Sequence, residues 1–566
     1  MTDQSRLPRQ GGLSGTPDTT GRPALEVDPR TRFEILAAIL LGLFLAALDQ
    51  TIVGTALPRI VTELHGNELY TWVVTVYLLT STVTGPIYGK LSDLFGRRPL
   101  LLIGIGLFLV GSFLSGLSQE MWQLILFRGI QGLGAGALFP IALAVIGDLF
   151  TPAERGKYQG VFGAVFGVAA IIGPWLGGLL TDHVSWHWVF FVNLPIGAVS
   201  LVIIARLLPS IRRPGASRDI DYLGAAVFSA GIVPVLIGLT NKQSGGWGDA
   251  AVAWPIVGGL AILGLFLLVE ARAREPMIPL GLFRNRTFSL SMVAVFMASI
   301  GFFGAIVFLP LYLQVVRGVS ATESGWNLLP FMGGLILGSI ASGQVVARTG
   351  RYRWLTVGAL LLVGAGMVLL TNLRADTPLP VLWGWMFLTG IGVGPTMAVF
   401  TIIVQNAVPF DKLGAATSDL TLGRQIGGTI GLTLAFSLFR QFLDRDLISR
   451  ELVTAGVPAQ LVASFPASAT GGAANVTSVA LDQGAALLAE VPERLRPMVA
   501  PFLPQIVAGM HSAVSIAISQ TFWLGVAAAA IGAVLTVALR EMPLRRTHAP
   551  AAAAAHVGQE ALPAAD

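Results

Sequence analysis

Away from the ends of their stretches, four charged side chains stand in sequence otherwise built for hydrocarbon: Asp49 within residues 33–58, Arg128 within 121–147, and Asp419 and Arg424 within 414–438. An ionised group in a bilayer costs several kcal/mol unless it is paired or hydrated, so each is a candidate for chemistry. On a helix rising 1.5 Å per residue, Asp49 lies roughly 14 Å from the outer end of its stretch and Arg128 roughly 10 Å from the same face. The two reach comparable depth. One reading makes Asp49 a carboxylate that changes protonation during a cycle, with Arg128 tuning it directly or through Gln131 and water, so that a proton and a cationic substrate compete for one group. The other makes the two a permanent ion pair between helices. Arg424 could bind an anionic substrate group or offset Asp49 or Asp419, and Asp419 is either a cavity carboxylate or a solvated helix end.

Other chemistries are excluded or find no residues. There is no cysteine, hence no disulfide, thiolate metal site or cysteine nucleophile. His183 and His187 are spaced i, i+4 beside Trp186 and Trp188, without a further converging ligand, so no metal site is expected. No Gly-x-x-x-x-Gly-Lys-Ser/Thr phosphate loop occurs, so neither nucleotide hydrolysis nor a cofactor is expected. The absence of a His/Asp/Glu cluster argues against a membrane enzyme.

The elements that must position these residues follow from composition. Of 566 residues, 54% are apolar and 12% charged, with a mean hydropathy of +0.73, against about a quarter charged in an ordinary soluble domain. Lipid must act as the solvent. Fourteen apolar stretches approach the roughly 20 residues needed to cross a bilayer. They lie near 33–58, 70–89, 99–117, 121–147, 157–180, 187–208, 222–240, 252–270, 287–313, 324–346, 354–371, 380–404, 414–438 and 516–539. None alternates with period two, so helices are predicted, not a barrel. With the N-terminus placed in the cytoplasm, 25 of the 36 basic residues fall inside, 9 outside, and Arg128 and Arg424 within spans. The positive-inside bias predicts both ends cytoplasmic. The net charge of +5 is therefore topological, and no nucleic-acid partner is expected.

An internal repeat organises the stretches. Pro152-Ala-Glu154-Arg155 is matched by Pro409-Phe-Asp411-Lys412, Gly134-x-Gly136 by Gly392-x-Gly394, and Gly89-x-x-x-Asp93-x-x-Gly96-Arg97-Arg98 by Gly343 … Gly350-Arg351-Tyr352-Arg353, with Ala347 where the acid should be. Two six-helix halves then flank an inserted pair, the arrangement of transporters whose cavity opens alternately to each side. The expected organisation is a disordered tail over 1–32, a first bundle over 33–208, the inserted pair over 209–271 and five helices of the second bundle over 272–440. A long outer segment broken by prolines then covers 441–515, with the last helix over 516–540 and a disordered tail over 541–566. The outer segment is a surface that a lipid or a periplasmic partner could use; the chain is otherwise expected to be a monomer.

Gly89-Lys-Leu-Ser-Asp93-Leu-Phe-Gly96-Arg97-Arg98-Pro99 combines turn-forming glycines with a carboxylate able to accept from an arginine or a helix N-terminus. It suits a latch that breaks when the halves rock. This loop resembles the signature of the major facilitator superfamily. Leu48-Asp49-Gln-Thr51-Ile-Val-Gly54-Thr-Ala-Leu-Pro58 is similar to the first-helix motif of that superfamily's fourteen-helix drug:proton antiporters, the EmrB/QacA-type branch, with Gly54 where asparagine is usual. Arg128-Gly-Ile-Gln131-Gly132 resembles the membrane arginine motif, and Gly423-Arg424-Gln425-Ile-Gly427-Gly428 a pattern of the branch. Gly160, Ala169, Gly173-Pro174 and Gly177-Gly178 resemble the antiporter motif, and Trp186-His187-Trp188 … Asn193-Leu-Pro195 the entry to the sixth span.

The resemblance implies an all-α major facilitator fold of two six-helix bundles plus two inserted helices, fourteen in all. It implies proton-coupled export of amphipathic, cationic or lipophilic compounds, with the glycine motif sealing the cavity and marking exchange instead of uptake. Glu154-Arg155 and Asp411-Lys412 are expected to bridge the halves near Asp93. A dedicated exporter of one lipid, siderophore or antibiotic, and a non-transporting receptor or scaffold, stay open as alternatives. Thirty-two arginines against four lysines fit a bacterial cell membrane protein.

Overall fold

A backbone in hydrocarbon must satisfy its own polar groups, and a chain without strand alternation does so by coiling. The computed structural model describes residues 28–64, 69–150, 152–209, 221–242, 245–409, 412–464 and 499–543, and nearly all are helical. The first group comprises α1 (Pro29–Glu63), α2 (Tyr70–Phe95), α3 (Arg97–Ser115), α4 (Met121–Leu149), α5 (Pro152–His183), the single turn α6 (Trp188–Phe191) and α7 (Asn193–Leu207). The inserted pair is α8 (Tyr222–Lys242) and α9 (Ala250–Glu270). A second group follows with α10 (Arg286–Val315), α11 (Ala321–Asn327), α12 (Leu329–Thr349), α13 (Arg353–Leu370), α14 (Leu379–Ala407) and α15 (Leu413–Phe442). The chain then forms α16 (Arg445–Thr454), α17 (Ala459–Ser464) and α18 (Leu503–Val537).

Among the described residues, 12 helices are long and apolar enough to cross a membrane, or 13 if α15 and α16, bent by 57°, form one span. The remaining expected stretch is occupied by α2, whose Thr80, Ser81, Thr82 and Thr84 make it more polar. The protein is a multi-pass membrane protein.

Apolar side chains gain little by leaving lipid for one another, so close packing over small residues must hold the helices together. The repeated glycines supply it in the same way twice. A Cβ on Gly134 would lie 2.3 Å from the backbone nitrogen of Phe108 on α3, and one on Gly136 would lie 2.0 Å from Thr84 on α2. In the second half, a Cβ on Gly392 would lie 2.5 Å from the backbone nitrogen of Val363 on α13, and one on Gly394 would lie 2.4 Å from Leu335 O on α12. Each pair thus lets one helix, α4 or α14, touch backbone on both sides. Between the halves, α5 packs on α12 and α2 on α15. The pair α8–α9 lies against α2 and α15 through Val83, Phe228, Ile232, Phe266 and Leu422.

The segment expected as an outer loop is partly helical. Pro504, read from sequence as a break, stands in the first turn of α18, where its missing N–H was never needed. That helix starts at Leu503, and α16 folds back on its opening turns: Ser512 Oγ donates to Glu451 at 2.6 Å, and Gly509 lies against Leu452. Residues 465–498, within the same expected segment, fall outside the described residues.

The glycine motif of α5 packs on α1 one turn beyond Asp49. A Cβ on Gly173 would stand 2.0 Å from Thr51 Oγ1, which donates to Ala169 O at 3.0 Å. At Gly54, where the resembled first-helix motif has asparagine, a Cβ meets nothing within 4 Å. Gly173→Ala should therefore turn the Thr51 hydroxyl out of its bond and cost about 1–3 kcal/mol, whereas Gly54→Asn should stay within about 0.5 kcal/mol of wild type. Thermal unfolding midpoints of the purified proteins in detergent check both; equal midpoints for the two variants would refute the packing account.

Candidate functional site

Asp49 is wholly buried, and every partner it has comes from another helix. Arg128 Nη1 on α4 donates to its Oδ2 at 2.5 Å, while Gln131 Nε2 and Asn193 Nδ2 donate to its Oδ1 at 2.8 and 3.2 Å. Arg128, 1% exposed, also donates to Gln131 Oε1 at 2.8 Å and from Nε to Val73 O at 3.3 Å, and its guanidinium lies 4.1 Å from the Tyr77 ring centre. Asn193 in turn donates to Ser112 Oγ at 3.0 Å, and Ser112 to Phe190 O at 2.8 Å. The carboxylate is thus ringed by donors from α4 and α7 in a site without water access. The two side chains meet directly, with Gln131 bridging them as well. Asn193 and Ser112 are contacts that the sequence reading did not assign; buried polar residues inside apolar stretches were the available signal.

The signature loop forms a latch at one end of the molecule. Asp93 accepts from the backbone nitrogens of Gly414 and Ala415 at 3.1 and 2.9 Å, capping α15 in the other half, and pairs with Arg97 Nη1 at 2.6 Å. Arg97 Nε reaches Asp148 at 2.9 Å. A carboxylate at a helix N-terminus satisfies unpaired N–H groups and the helix dipole together. Gly89 makes the approach possible, because a Cβ there would sit 1.7 Å from Ser418 Oγ. Lys90–Glu275 at 2.7 Å and Gln405 Nε2 donating to Leu143 O at 3.1 Å close the same end. Gly96 turns the chain at φ 94°, a conformation that favours glycine, and Arg98 donates to Ala205 O. Asp411, the side chains of Glu154 and Arg155, and the surroundings of Gly160 lie outside what the structure describes.

Between the halves lies a cavity. Its polar wall is Gln50 of α1 with Thr421, Arg424 and Gln425 of α15; its apolar wall includes Phe139, Phe166, Phe302 and Phe303. Asp49 does not line it. A contest between a proton and a cationic substrate for that carboxylate therefore has no geometric basis here, since the residue facing the cavity is the neighbouring Gln50. Asp419 is neither cavity wall nor solvated helix end: it is 2% exposed, both its oxygens lack a hydrogen-bond partner among the described residues, and the charges acting on it are Glu270 and Asp93. Gly173 and Gly177 face α1, and Gly178 is half-buried beside them.

Two pseudo-symmetric bundles, a latch between them and a buried ion pair beside a central cavity describe a membrane transporter, not an enzyme. The family model of the Major Facilitator Superfamily matches residues 39–432, and the chain belongs to that family. Multidrug transporter protein MdtP of Bacillus subtilis is 38% identical over 516 residues, which is 90% of this chain and 93% of that protein. Puromycin resistance protein pur8 of Streptomyces alboniger is 38% identical over 413 residues, 72% of this chain and 81% of its own. The solved structure of the human organic anion transporter MFSD10 superimposes with a TM-score of 0.55 at 17% identity, covering 73% of this chain and 94% of that one, a likeness of fold.

The latch can be read directly because the chain contains no cysteine. In a Ser418→Cys protein the thiol is shielded by Gly89; adding Asp93→Asn should raise its maleimide labelling rate about tenfold, which corresponds to about 1.4 kcal/mol of lost closure. An unchanged rate would mean that Asp93 does not hold the halves together.

Proposed function

We propose that the protein exports amphipathic, lipophilic compounds in exchange for protons by alternating access, in the cell membrane of a bacterium and with both chain ends in the cytoplasm. The observation that carries this reading is the buried Asp49–Arg128 pair, 2.5 Å apart and one residue away from the cavity wall at Gln50. Removing one partner of a buried pair costs about 3–5 kcal/mol, so protonating Asp49 is an event the surrounding helices must answer by repacking. The helix that answers is α1. It carries Gln50 into the cavity and ties Thr51 to α5, and α5 packs on α12 of the other half. A proton taken by Asp49 frees Arg128, shifts α1 and changes the cavity wall; release of the proton restores the pair.

Export is supported by the relatives, one named for multidrug transport and one for puromycin resistance. The arginine bias supports the orientation, which puts the Asp93 latch on the cytoplasmic side, closed while the cavity awaits the other face. No cofactor enters the cycle, because the proton gradient supplies the free energy, and a monomer carries the whole cavity.

Inside-out vesicles with an acid lumen test the coupling, using a panel of fluorescent amphipaths that are cationic, neutral and anionic. Wild type should accumulate at least one of them in a gradient-dependent way. Asp49→Asn and Arg128→Ala should each lower that accumulation at least tenfold while the purified proteins remain monodisperse. Gradient-driven transport retained by both variants would defeat the assignment of Asp49.

A further inference from the structure

The cavity carries one charged side chain, and its sign is positive. Among the described residues, Arg424 is the only ionisable one lining the space, and no carboxylate lies within ion-pair distance of it. Its Nη2 is fixed by α14, donating to Met397 O at 2.7 Å, Thr401 Oγ1 at 3.1 Å and Thr396 O at 3.4 Å. Its Nη1 and Nε find no acceptor among the described residues, which leaves their N–H groups as separate single donors for a ligand in the cavity. The two carboxylates that could neutralise it are engaged or turned away. Asp49 is saturated by Arg128, Gln131 and Asn193. Asp419 precedes Arg424 by five residues, about 140° around the helix, and feels Glu270 and Asp93 instead.

We propose that this cavity is a binding site for amphipathic organic acids, in which Arg424 takes the anionic group and the phenylalanine-lined wall takes the apolar body. The proposal deepens the exporter reading and rests on it for direction of transport, though not for binding. A planar guanidinium pairs with a carboxylate, sulfonate or enolate through directed hydrogen bonds, and in a site poor in water that pairing is stronger than at a surface. Gln425 and Gln50 flank Arg424 and can complete the shell of an oxyanion with their amide N–H groups, while the Thr421 hydroxyl donates to Thr417 O at 3.0 Å. Phe139, Phe166, Phe302 and Phe303 offer ring faces and edges to an aromatic or alicyclic skeleton. A lipophilic cation gains the same apolar contacts but meets an uncompensated positive charge, so selection runs against the cationic cargo expected from sequence.

Equilibrium binding to the purified full-length protein, with no gradient present, tests this apart from transport. Three probes share one aromatic body: 4-(1-pyrenyl)butyrate, its methyl ester and the matching pyrenylbutyl trimethylammonium. At neutral pH the wild type should bind the carboxylate at least tenfold more tightly than the ester, and the ester more tightly than the cation. Arg424→Gln should erase the preference for the acid while leaving ester binding within about threefold, which also shows that the variant is folded; Arg424→Lys should retain part of the preference. Equal or tighter binding of the cation by wild type overturns the proposal. So does an acid preference that survives in Arg424→Gln, or the absence of measurable binding of all three probes. Binding of the acid together with failure of every probe to move under a pH gradient would sink the antiport reading and leave this site standing.

Discussion

An unpaired charge in hydrocarbon is the constraint on which this structure turns. Asp49 and Arg128 are tolerated because each supplies the other's counter-charge, with Gln131, Asn193 and the Val73 carbonyl taking remaining hydrogen-bonding capacity. To bring these groups together, α1, α4 and α7 must pack closely, and Gly173 and Gly177 must admit α5 to the flank of α1. The pair thus organises the first bundle and also gives it one place where a single proton changes the balance of forces.

The two halves share a packing scheme but not their chemistry. Gly134 and Gly136 in α4, and Gly392 and Gly394 in α14, do the same structural task, which is to let backbone meet backbone where lipid offers no hydrophobic drive. At the position of Arg128, counted by the spacing from Gly134 to Gly392, the second half has Met386, and at that of Asp93 it has Ala347. The ion pair and the latch carboxylate therefore belong to the first half, while the cavity arginine belongs to the second. Function has been written asymmetrically onto a symmetric frame.

This division also separates the buried carboxylate from the cavity arginine in space. Asp49 is enclosed by three donors; Arg424 keeps the N–H groups of Nη1 and Nε without an acceptor among the described residues. Helix α1 has Asp49 on one face and Gln50, which lines the cavity, on the next. The Asp93 latch sits at the far end of the same mechanical path, because α2 carries it and α15 receives it, and α15 also carries Arg424.

Composition and hydropathy by themselves determined that the chain is a polytopic helical membrane protein, because helices satisfy their backbones locally and span length follows from bilayer thickness. Local patterns were equally sufficient for the signature loop, for the glycine repeats that relate the halves, and for marking Asp49, Arg128 and Arg424 as costly charges. Pro504 misled as a break, since a proline reads alike at the start and in the middle of a helix. The tertiary structure decided what each charge faces. Sequence places Asp49 and Gln50 side by side, yet a rotation of about 100° sends one to an ion pair and the other to the cavity. It places Asp419 and Arg424 in one helix, yet the first is buried off the cavity and the second lines it. Partners such as Asn193 and the N-terminus of α15 come from distant segments, and only the packing of whole helices brings them within hydrogen-bonding reach.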